Sequence, residues 1–218
     1  MAFHRAIGVK DDMLDVLAQH HTTDDTRSYY VLYDRTATWD HPGRPQIVAL
    51  HLRRDHQSRT LRFEQETLPL PSMAQSWLIH RGCPPEAIAL DPELGTVPAD
   101  SATRALERRL VDGGDHYALG WSYTRDDPDD HVTLAALRAL DERAPSPFRV
   151  LVEEVDRQAW THTLREAAFD TVHEAMTWCY DRLSGTTVPL PPIRPKLPSP
   201  LSAVVPQATA SRPPGRSL

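Results

Sequence analysis

Four aspartates and one histidine form the densest group of potential metal ligands in the sequence. They occupy residues 126–131, which read DDPDDH. Carboxylate oxygens and an imidazole this close together could hold a divalent cation, and a metal-activated water would then support hydrolysis. His116 or His162 could complete such a site. The run lacks the spacing and the glycine of an EF-hand, and aspartates also serve simply to begin a helix. A metal-assisted hydrolase centred on Asp126 to His131 is therefore our alternative hypothesis.

No other stretch of the sequence carries a catalytic motif. Its eleven histidines are scattered, without an HExxH motif or a paired Cys-x-x-Cys. A nucleophile elbow, a P-loop and a dinucleotide fingerprint are also missing from the sequence. Glu153 and Glu154 are neighbours on a predicted strand, so their carboxylates would point to opposite faces. The sequence thus predicts no catalytic residue, no metal ligand and no cofactor, and it favours a non-enzymatic protein.

Exposed aromatic side chains are the leading candidates for contact with a partner protein. Tyr117, Trp121 and Tyr123 alternate along a predicted strand and would line one face of a sheet. Packing in the core is the alternative interpretation for these three residues. Trp39 lies in a predicted loop flanked by proline and glycine, where a tryptophan often anchors a contact. We expect an adaptor, regulatory or chaperone-like protein that binds another protein.

The C-terminal segment, residues 185–218, has a composition unlike the rest of the chain. Nine of the 20 prolines fall between Pro189 and Pro214. The segment has no apolar periodicity, so we predict a disordered tail with polyproline II character. The part that contains Pro189, Pro192, Arg194 and Pro195 looks like a ligand for SH3-type aromatic grooves, although a plain spacer is the alternative.

The distribution of charge argues against nucleic acid as a partner. The net charge is −6, and the tail from Ser184 onward carries +4, which leaves −10 for the rest of the chain. An acidic body repels phosphate backbones. The order helix, three strands, helix, which we predict below for each half, resembles the double-stranded RNA-binding domain and half of the secretion-chaperone fold. That RNA-binding domain has lysines where its second helix begins, and this chain has Ser72-Met73-Ala74 or Val172-His173-Glu174 there.

Several features predict a cytoplasmic protein. The N-terminus lacks the apolar run of a signal peptide, and no stretch of the sequence is apolar enough to span a membrane. Cys83 and Cys179 are 96 positions apart and do not form the cysteine framework of a secreted domain. The many arginines, the scarcity of lysine and the absence of asparagine indicate a high-GC bacterial genome.

Hydrophobic periodicity predicts an α+β fold with antiparallel sheets and helices on one face. We predict helices over residues 11–21, 72–81, 102–111 and 171–183, and strands over residues 28–33, 47–53, 60–65, 116–123, 148–155 and 160–166. Residues 126–143 are expected to form an acidic loop and a short helix that carries Leu134, Leu137 and Leu140. The predicted organisation is one half over residues 1–99, a second half over residues 100–184 that shares its core, and the tail.

An internal match suggests that the two halves arose by duplication. Thr60-Leu61-Arg62 followed by Ala74, Trp77 and Arg81 has a counterpart in Thr163-Leu164-Arg165 followed by Ala175, Trp178 and Arg182. Each triplet leads from a predicted strand into a predicted helix. Chance similarity among five tryptophans is the alternative.

Overall fold

Two antiparallel sheets account for most of the fold, and the predicted α+β class is confirmed. The computed structural model describes residues 11–112, 116–142, 144, 146–186 and 189–191. In these residues the strands are β1 (Leu14–His21), β2 (Arg27–Asp34), β3 (Ile47–Asp55), β4 (Thr60–Leu68), β5 (Val97–Pro98), β6 (Tyr117–Asp127), β7 (Asp130–Ala139), β8 (Phe148–Asp156) and β9 (Thr161–Phe169). The helices are α1 (Ala37–Asp40), α2 (Pro71–Ile79), α3 (Ser101–Val111) and α4 (Val172–Leu183), with 3₁₀ helices at Asp11–Met13 and Pro85–Ile88.

Each sheet contains a four-stranded meander that leads into a helix. The first sheet has the order β1-β2-β3-β4 and is followed by α2, and the second has the order β5-β9-β8-β7-β6 and is followed by α4. The short strand β5 pairs with β9 in parallel. Strand β6 therefore lies at one edge of the second sheet.

The helices pack on three sheet faces. Helix α2 covers the first sheet, where Leu78 joins a core with Val31 and Ala49. Met73 of α2 contacts this core and also a second core, which α3 builds on one face of the second sheet. Helix α4 covers the opposite face through Trp178. The second sheet therefore carries helices on both faces rather than on the single face that we predicted.

The predicted first helix over residues 11–21 is wrong. Only Asp11–Met13 is helical, and the rest of the segment is strand β1. Pairing with β2 sets this conformation, since the rings of His20 and His21 lie beside those of Tyr29 and Tyr30 on the neighbouring strand. These contacts come from the next strand along the chain and outweigh the local helical spacing.

The predicted short helix with Leu134, Leu137 and Leu140 is wrong as well. Residues 130–139 form strand β7, which pairs with β6 on one side and β8 on the other. Leu134 belongs to the core under α4, whereas Leu137 belongs to the core under α3. A strand buried on both faces has an almost continuous apolar run, and its leucines can imitate helical spacing.

The last two strands of each meander form equivalent hairpins. Every pair in the β3–β4 register lies 101 positions before its counterpart in the β8–β9 register. The turns also match. Asp55 Oδ1 accepts hydrogen bonds from the backbone amides two and three residues later in the chain. Asp156 Oδ1 accepts the same two hydrogen bonds in its own turn. Arg59 and Trp160 both have φ above +50° at the ends of the turns.

The helices that follow these hairpins agree with the same offset. Trp77 and Trp178 lie 101 positions apart, on α2 and α4 respectively. The arginine four residues after each tryptophan pairs with a glutamate of the adjacent sheet, but on strands that are not equivalent. Arg81 pairs with Glu64 of β4, and Arg182 pairs with Glu154 of β8. The two Thr-Leu-Arg triplets do not fit, because they lie 103 positions apart and so are two residues out of register.

Candidate protein-binding surface

The outer side of β6 is the first feature of the candidate surface. Among the described strands, β6 pairs only with β7. On the outer side the amide of Thr124 donates a hydrogen bond to the carbonyl of Gly43, at 3.1 Å. Amide directions alternate along a strand, so amides two residues apart point the same way, and the amide of Ser122 points outward like that of Thr124. An edge of this kind can accept an additional strand from another protein.

A β-bulge divides the predicted aromatic face into two. The register shifts between Leu119 and Trp121, so that Gly120 is the additional residue. One extra residue reverses the direction of all later side chains relative to the sheet. Tyr117 therefore lies on the α3 side of the sheet with Leu119, whereas Trp121 packs against the core under α4. Tyr117, Trp121 and Tyr123 consequently do not line one face.

On the α3 side, the start of β6 borders a groove of about 410 Å³. Its apolar lining comes from α2, α3 and the β6–β7 pair and includes Met73, Trp77, Leu110, Tyr117, Leu137 and Leu140. The Tyr117 hydroxyl donates to the carbonyl of Ser146 at 2.9 Å, and the Arg149 guanidinium lies 4.7 Å from the centre of its ring. Tyr117 is thus a fixed wall of the groove.

The rim of this groove is polar. His116 Nδ1 lies 3.2 Å from Asp141 Oδ2, and His80 and Ser76 extend the rim along α2. Leu140 is 67% exposed at the same place. An apolar cleft with a few polar groups on its rim suits an apolar side chain that is flanked by polar backbone.

On the α4 side, β6 presents a cluster of aromatic rings. Trp121 stacks on Tyr123 with centroids 6.3 Å apart, and its ring lies 6.1 Å from that of Tyr180. Tyr180, on α4, is 57% exposed. Rings that are partly buried and partly exposed offer large contact areas with little loss of side-chain freedom on binding.

Trp39 extends this surface through a neighbouring loop. It is 71% exposed on the short helix α1, which contacts β6. Gly43, at φ +86°, closes the loop against Tyr123, and a Cβ at this position would lie 2.4 Å from Tyr123 Cδ2. Only glycine allows this approach and this backbone conformation together. The structure thus brings the loop of Trp39 next to Trp121 and Tyr123.

The aspartate-rich segment of our alternative hypothesis lies where the two halves of the chain meet. Residues 126–131 form the end of the β6–β7 hairpin. Asp126 Oδ2 accepts hydrogen bonds from Gln46 Nε2 at 2.7 Å and Tyr33 Oη at 3.3 Å, and Oδ1 contacts His131 Nδ1 at 2.9 Å and the Arg157 guanidinium. The first half of the chain supplies two of these donors, Gln46 and Tyr33, and the second half supplies the other two.

This network changes the acidity of its members. The hydrogen bond from His131 and those of the neighbouring donors hold the pKa of Asp126 well below its usual range. Burial and the Asp126 charge raise the pKa of Tyr33 well above its usual range. All the acceptor positions of the Asp126 carboxylate are thus used within the protein, and the described residues contain no group of three or more potential ligands that could hold a metal ion.

His162, the other histidine considered for that site, connects α3 to β9. Its Nε2 lies 2.8 Å from Glu107 Oε1, and Thr96 Oγ1 lies 3.0 Å from Nδ1. Burial alone would lower the pKa of His162, but Glu107 and the nearby Glu153 outweigh it and raise that pKa. Burial raises the pKa of Glu153 as well. Both ring nitrogens of His162 are engaged, which suits a structural contact.

The proline-rich residues fall partly within the described part of the chain. Pro189 accepts a hydrogen bond from Trp178 Nε1 through its carbonyl, and Leu190 packs against the core under α4. Pro192, Arg194 and Pro195 lie outside the described residues.

Comparison with known proteins gives no relative. A scan against protein-family models and searches of curated proteins and of solved structures found no match to this chain. Of the helices that the structure describes, none is long and apolar enough to cross a membrane.

Sequence reasoning missed two parts of the surface. Tyr180 lies on the exposed side of α4, and a lone tyrosine on an amphipathic helix carries no signal of its own. The groove combines Trp77 and Leu110 with β6, and such long-range contacts leave no trace in local periodicity. The small residue Gly120 in the middle of an alternating strand was the available signal for the bulge.

Proposed function

We propose that this protein is a non-enzymatic adaptor that binds an extended segment of another protein along the outer edge of β6. The observation that supports the proposal most strongly is the combination of an edge strand with apolar surface on both of its sides. Tyr117 and the groove lie on one side, and Trp121 and Tyr123 lie on the other. A bound strand would place alternate side chains on these two surfaces.

Backbone hydrogen bonds would supply affinity and the two surfaces would supply specificity. The amide of Thr124 donates to Gly43 on the outer side of β6, and the amide of Ser122 points to this side as well. Ser122 could therefore donate a hydrogen bond to an added strand. The loop at Gly43 ends the free part of the edge. A bound segment would therefore pair with the first half of β6, from Tyr117 to Ser122.

The charge of the body favours a basic segment. Without the tail the chain carries a net charge of −10, so positive side chains on a partner would be attracted. The same charge disfavours nucleic acid. Lysine or arginine next to apolar residues is the composition that we expect in a bound segment.

A cytoplasmic location is part of the proposal. Cys83 and Cys179 are buried free cysteines. Burial raises the pKa of Cys83 to about 11 and that of Cys179 to about 12, which keeps both as unreactive thiols. Such cysteines are typical of proteins in a reducing compartment.

The binding proposal can be tested with a display library of random twelve-residue peptides. Ser122→Pro removes the outward amide and leaves the pairing of β6 with β7 intact, since proline is tolerated on an edge strand. Ser122→Ala is the matched control. We expect the full chain and Ser122→Ala to enrich peptides with alternating apolar residues and net positive charge, and Ser122→Pro to enrich none of them. Equal enrichment by Ser122→Pro would contradict pairing at this edge.

Gene duplication is a second part of the proposal. We propose that residues 1–99 and 100–184 are two halves that descend from one ancestral unit, followed by the tail. Equal hairpin registers and equal turn contacts of Asp55 and Asp156 support it. Trp77 and Trp178 at the same offset add to this support. The halves would then have diverged where β6 acquired its aromatic residues, since the register shifts within the first strand of both meanders, β1 and β6.

A further inference from the structure

The proline-rich segment begins as a bound ligand of the body. Helix α4 ends at Leu183, and Gly185, at φ +81°, turns the chain. Trp178 Nε1 then donates a hydrogen bond of 3.3 Å to the carbonyl of Pro189. Leu190 is half-buried and packs against the core under α4. Residues 189 and 190 thus contact α4 and the core beneath it a few positions after the helix ends.

The contact has the chemistry by which proteins recognise polyproline II segments. Proline lacks an amide hydrogen, so each proline of such a chain offers only its carbonyl oxygen for hydrogen bonds. The aromatic grooves that bind such chains supply a flat ring, and a tryptophan adds an N–H donor at its edge. Trp178 provides the donor, since its nitrogen reaches Pro189, and its side chain lines a pocket together with Leu190.

Space remains in this pocket beside the bound residues. A cavity of about 330 Å³ is lined by Val152, Trp178 and Leu190 and by three charged side chains, Glu154, Arg165 and Arg182. Arg182 pairs with Glu154 across it. The pocket therefore combines apolar side chains with charged ones. Such a lining suits a ligand that has an apolar residue near a charged residue.

We propose that the pocket under Trp178 is a recognition site for proline-leucine-proline segments in polyproline II conformation, and that residues 189–191 of the same chain occupy it. The sequence between Pro189 and Pro195 looks like a ligand for the aromatic groove of another protein. Leu190 cannot be used by both sites at once. Residues 189–191 consequently stay bound to the pocket of their own chain until a competing proline-rich ligand or a partner groove releases them.

Digestion of the full chain with an endoproteinase specific for lysine tests this proposal. The chain contains only two lysines, Lys10 and Lys196. A protease needs extended chain on both sides of the bond that it cuts, so release of residues 189–191 should expose the bond after Lys196. The cut after Lys10 is an internal control for the protease and for global unfolding.

Two variants should release the tail. Trp178→Phe removes the N–H donor, and Leu190→Asp removes the apolar anchor without changing the helix. Loss of about 1 kcal/mol of binding raises the released fraction about fivefold, so cleavage after Lys196 should accelerate by about that factor in each variant. Cleavage after Lys10 should not change. Trp77→Phe, the same substitution at the equivalent position of the first half, should leave both rates unchanged. If neither Trp178→Phe nor Leu190→Asp accelerates cleavage after Lys196, the proposal is wrong.

A synthetic peptide distinguishes a recognition site from ordinary packing of a chain end. The peptide VPLPPIRP, which corresponds to residues 188–195, contains no lysine and is not cut. At millimolar concentration it should accelerate cleavage after Lys196 in the unmodified chain, and a peptide with aspartate in place of its leucine should not. An unchanged rate with VPLPPIRP would overturn the proposal. Neither arm depends on Ser122, so failure here is separable from failure of binding at β6.

Discussion

Asp126→Ala should weaken the connection between the two sheets. The Asp126 carboxylate accepts hydrogen bonds from Tyr33 and Gln46 of the first half and contacts His131 and Arg157 of the second. Removing the carboxylate leaves these donors without their acceptor. Arg157 is 43% exposed and can turn to water, but Gln46 is only 3% exposed and cannot.

The cost follows mainly from Gln46, which is buried, and from Tyr33, which is half-buried. A buried donor without a partner costs about 1 to 3 kcal/mol and a half-buried one costs less, so the two donors together lose about 1 to 4 kcal/mol. Asp126→Asn keeps one acceptor oxygen and should cost about half as much. Tyr33→Phe removes one donor together with its need for a partner and should cost about 1 to 2 kcal/mol.

Urea denaturation at pH 7 measures these free energies of unfolding. In a double-mutant cycle the Tyr33→Phe and Asp126→Ala costs should fall short of additivity by about 1 to 2 kcal/mol, because the second substitution finds the hydrogen bond already lost. If Asp126→Ala changed the free energy of unfolding by less than about 0.5 kcal/mol, the carboxylate would not join the sheets.

Acid provides an independent check of the same cluster. The pKa of Asp126 lies well below its usual range in the folded protein, so its contribution to stability is present above about pH 4. It is lost as the pH falls through the folded pKa. The stability of Asp126→Ala should therefore fall less steeply between pH 4 and pH 2 than that of the unmodified chain.

Three further predictions concern single sites. Both ring nitrogens of His51 are buried without a hydrogen-bond partner, and burial lowers its pKa. His51 therefore resists protonation in the folded state, and the free energy of unfolding should fall by up to about 1.4 kcal/mol per pH unit below pH 6.5. His51→Val should remove this loss, which denaturation curves at pH 7.5 and 5.5 would measure. Gly43→Ala should cost about 2 to 4 kcal/mol by thermal denaturation, since the new Cβ meets the Tyr123 ring, and a cost below about 0.5 kcal/mol would refute that contact. Asp55→Ala and Asp156→Ala should each cost about 1 kcal/mol, and widely different costs would contradict the equivalence of the two turns.

Local sequence signals predicted the elements whose stabilising contacts are local. Thr171 and Glu174 form a capping box, and α4 begins directly after Thr171. The turn after Asp156 depends on that side chain and its neighbouring amides, and the strands predicted over residues 148–155 and 160–166 are present on its two sides. In such cases the chemistry that fixes the structure is contained within a few residues.

Local signals failed where the conformation depends on contacts with other strands and helices. Residues 11–21 have helical spacing, yet pairing with β2 makes most of them a strand. Leu134 and Leu137 are three residues apart and face opposite cores, because helices cover both faces of the second sheet. Neither fact is visible without the other elements in place.

The candidate surface was partly predictable. Trp39, Trp121 and Tyr123 were identified by residue type, and the structure places the loop of Trp39 beside the other two residues. Tyr117 was assigned to the wrong face, because the bulge at Gly120 reversed the alternation. Asp126 was identified as a chemically important residue, but two of its four partners, Tyr33 and Gln46, lie 93 and 80 positions away in sequence.

Hydrogen exchange at the Ser122 amide tests the central claim most directly. The exchange rate of this amide would be measured by NMR in the full chain, alone and with a peptide enriched from the library. If the peptide pairs with the edge of β6, exchange at Ser122 should slow by at least about tenfold, while the Val31 amide inside the first sheet should keep its rate. Binding of the peptide with an unchanged rate at Ser122 would contradict the proposal that this edge is the protein-binding element.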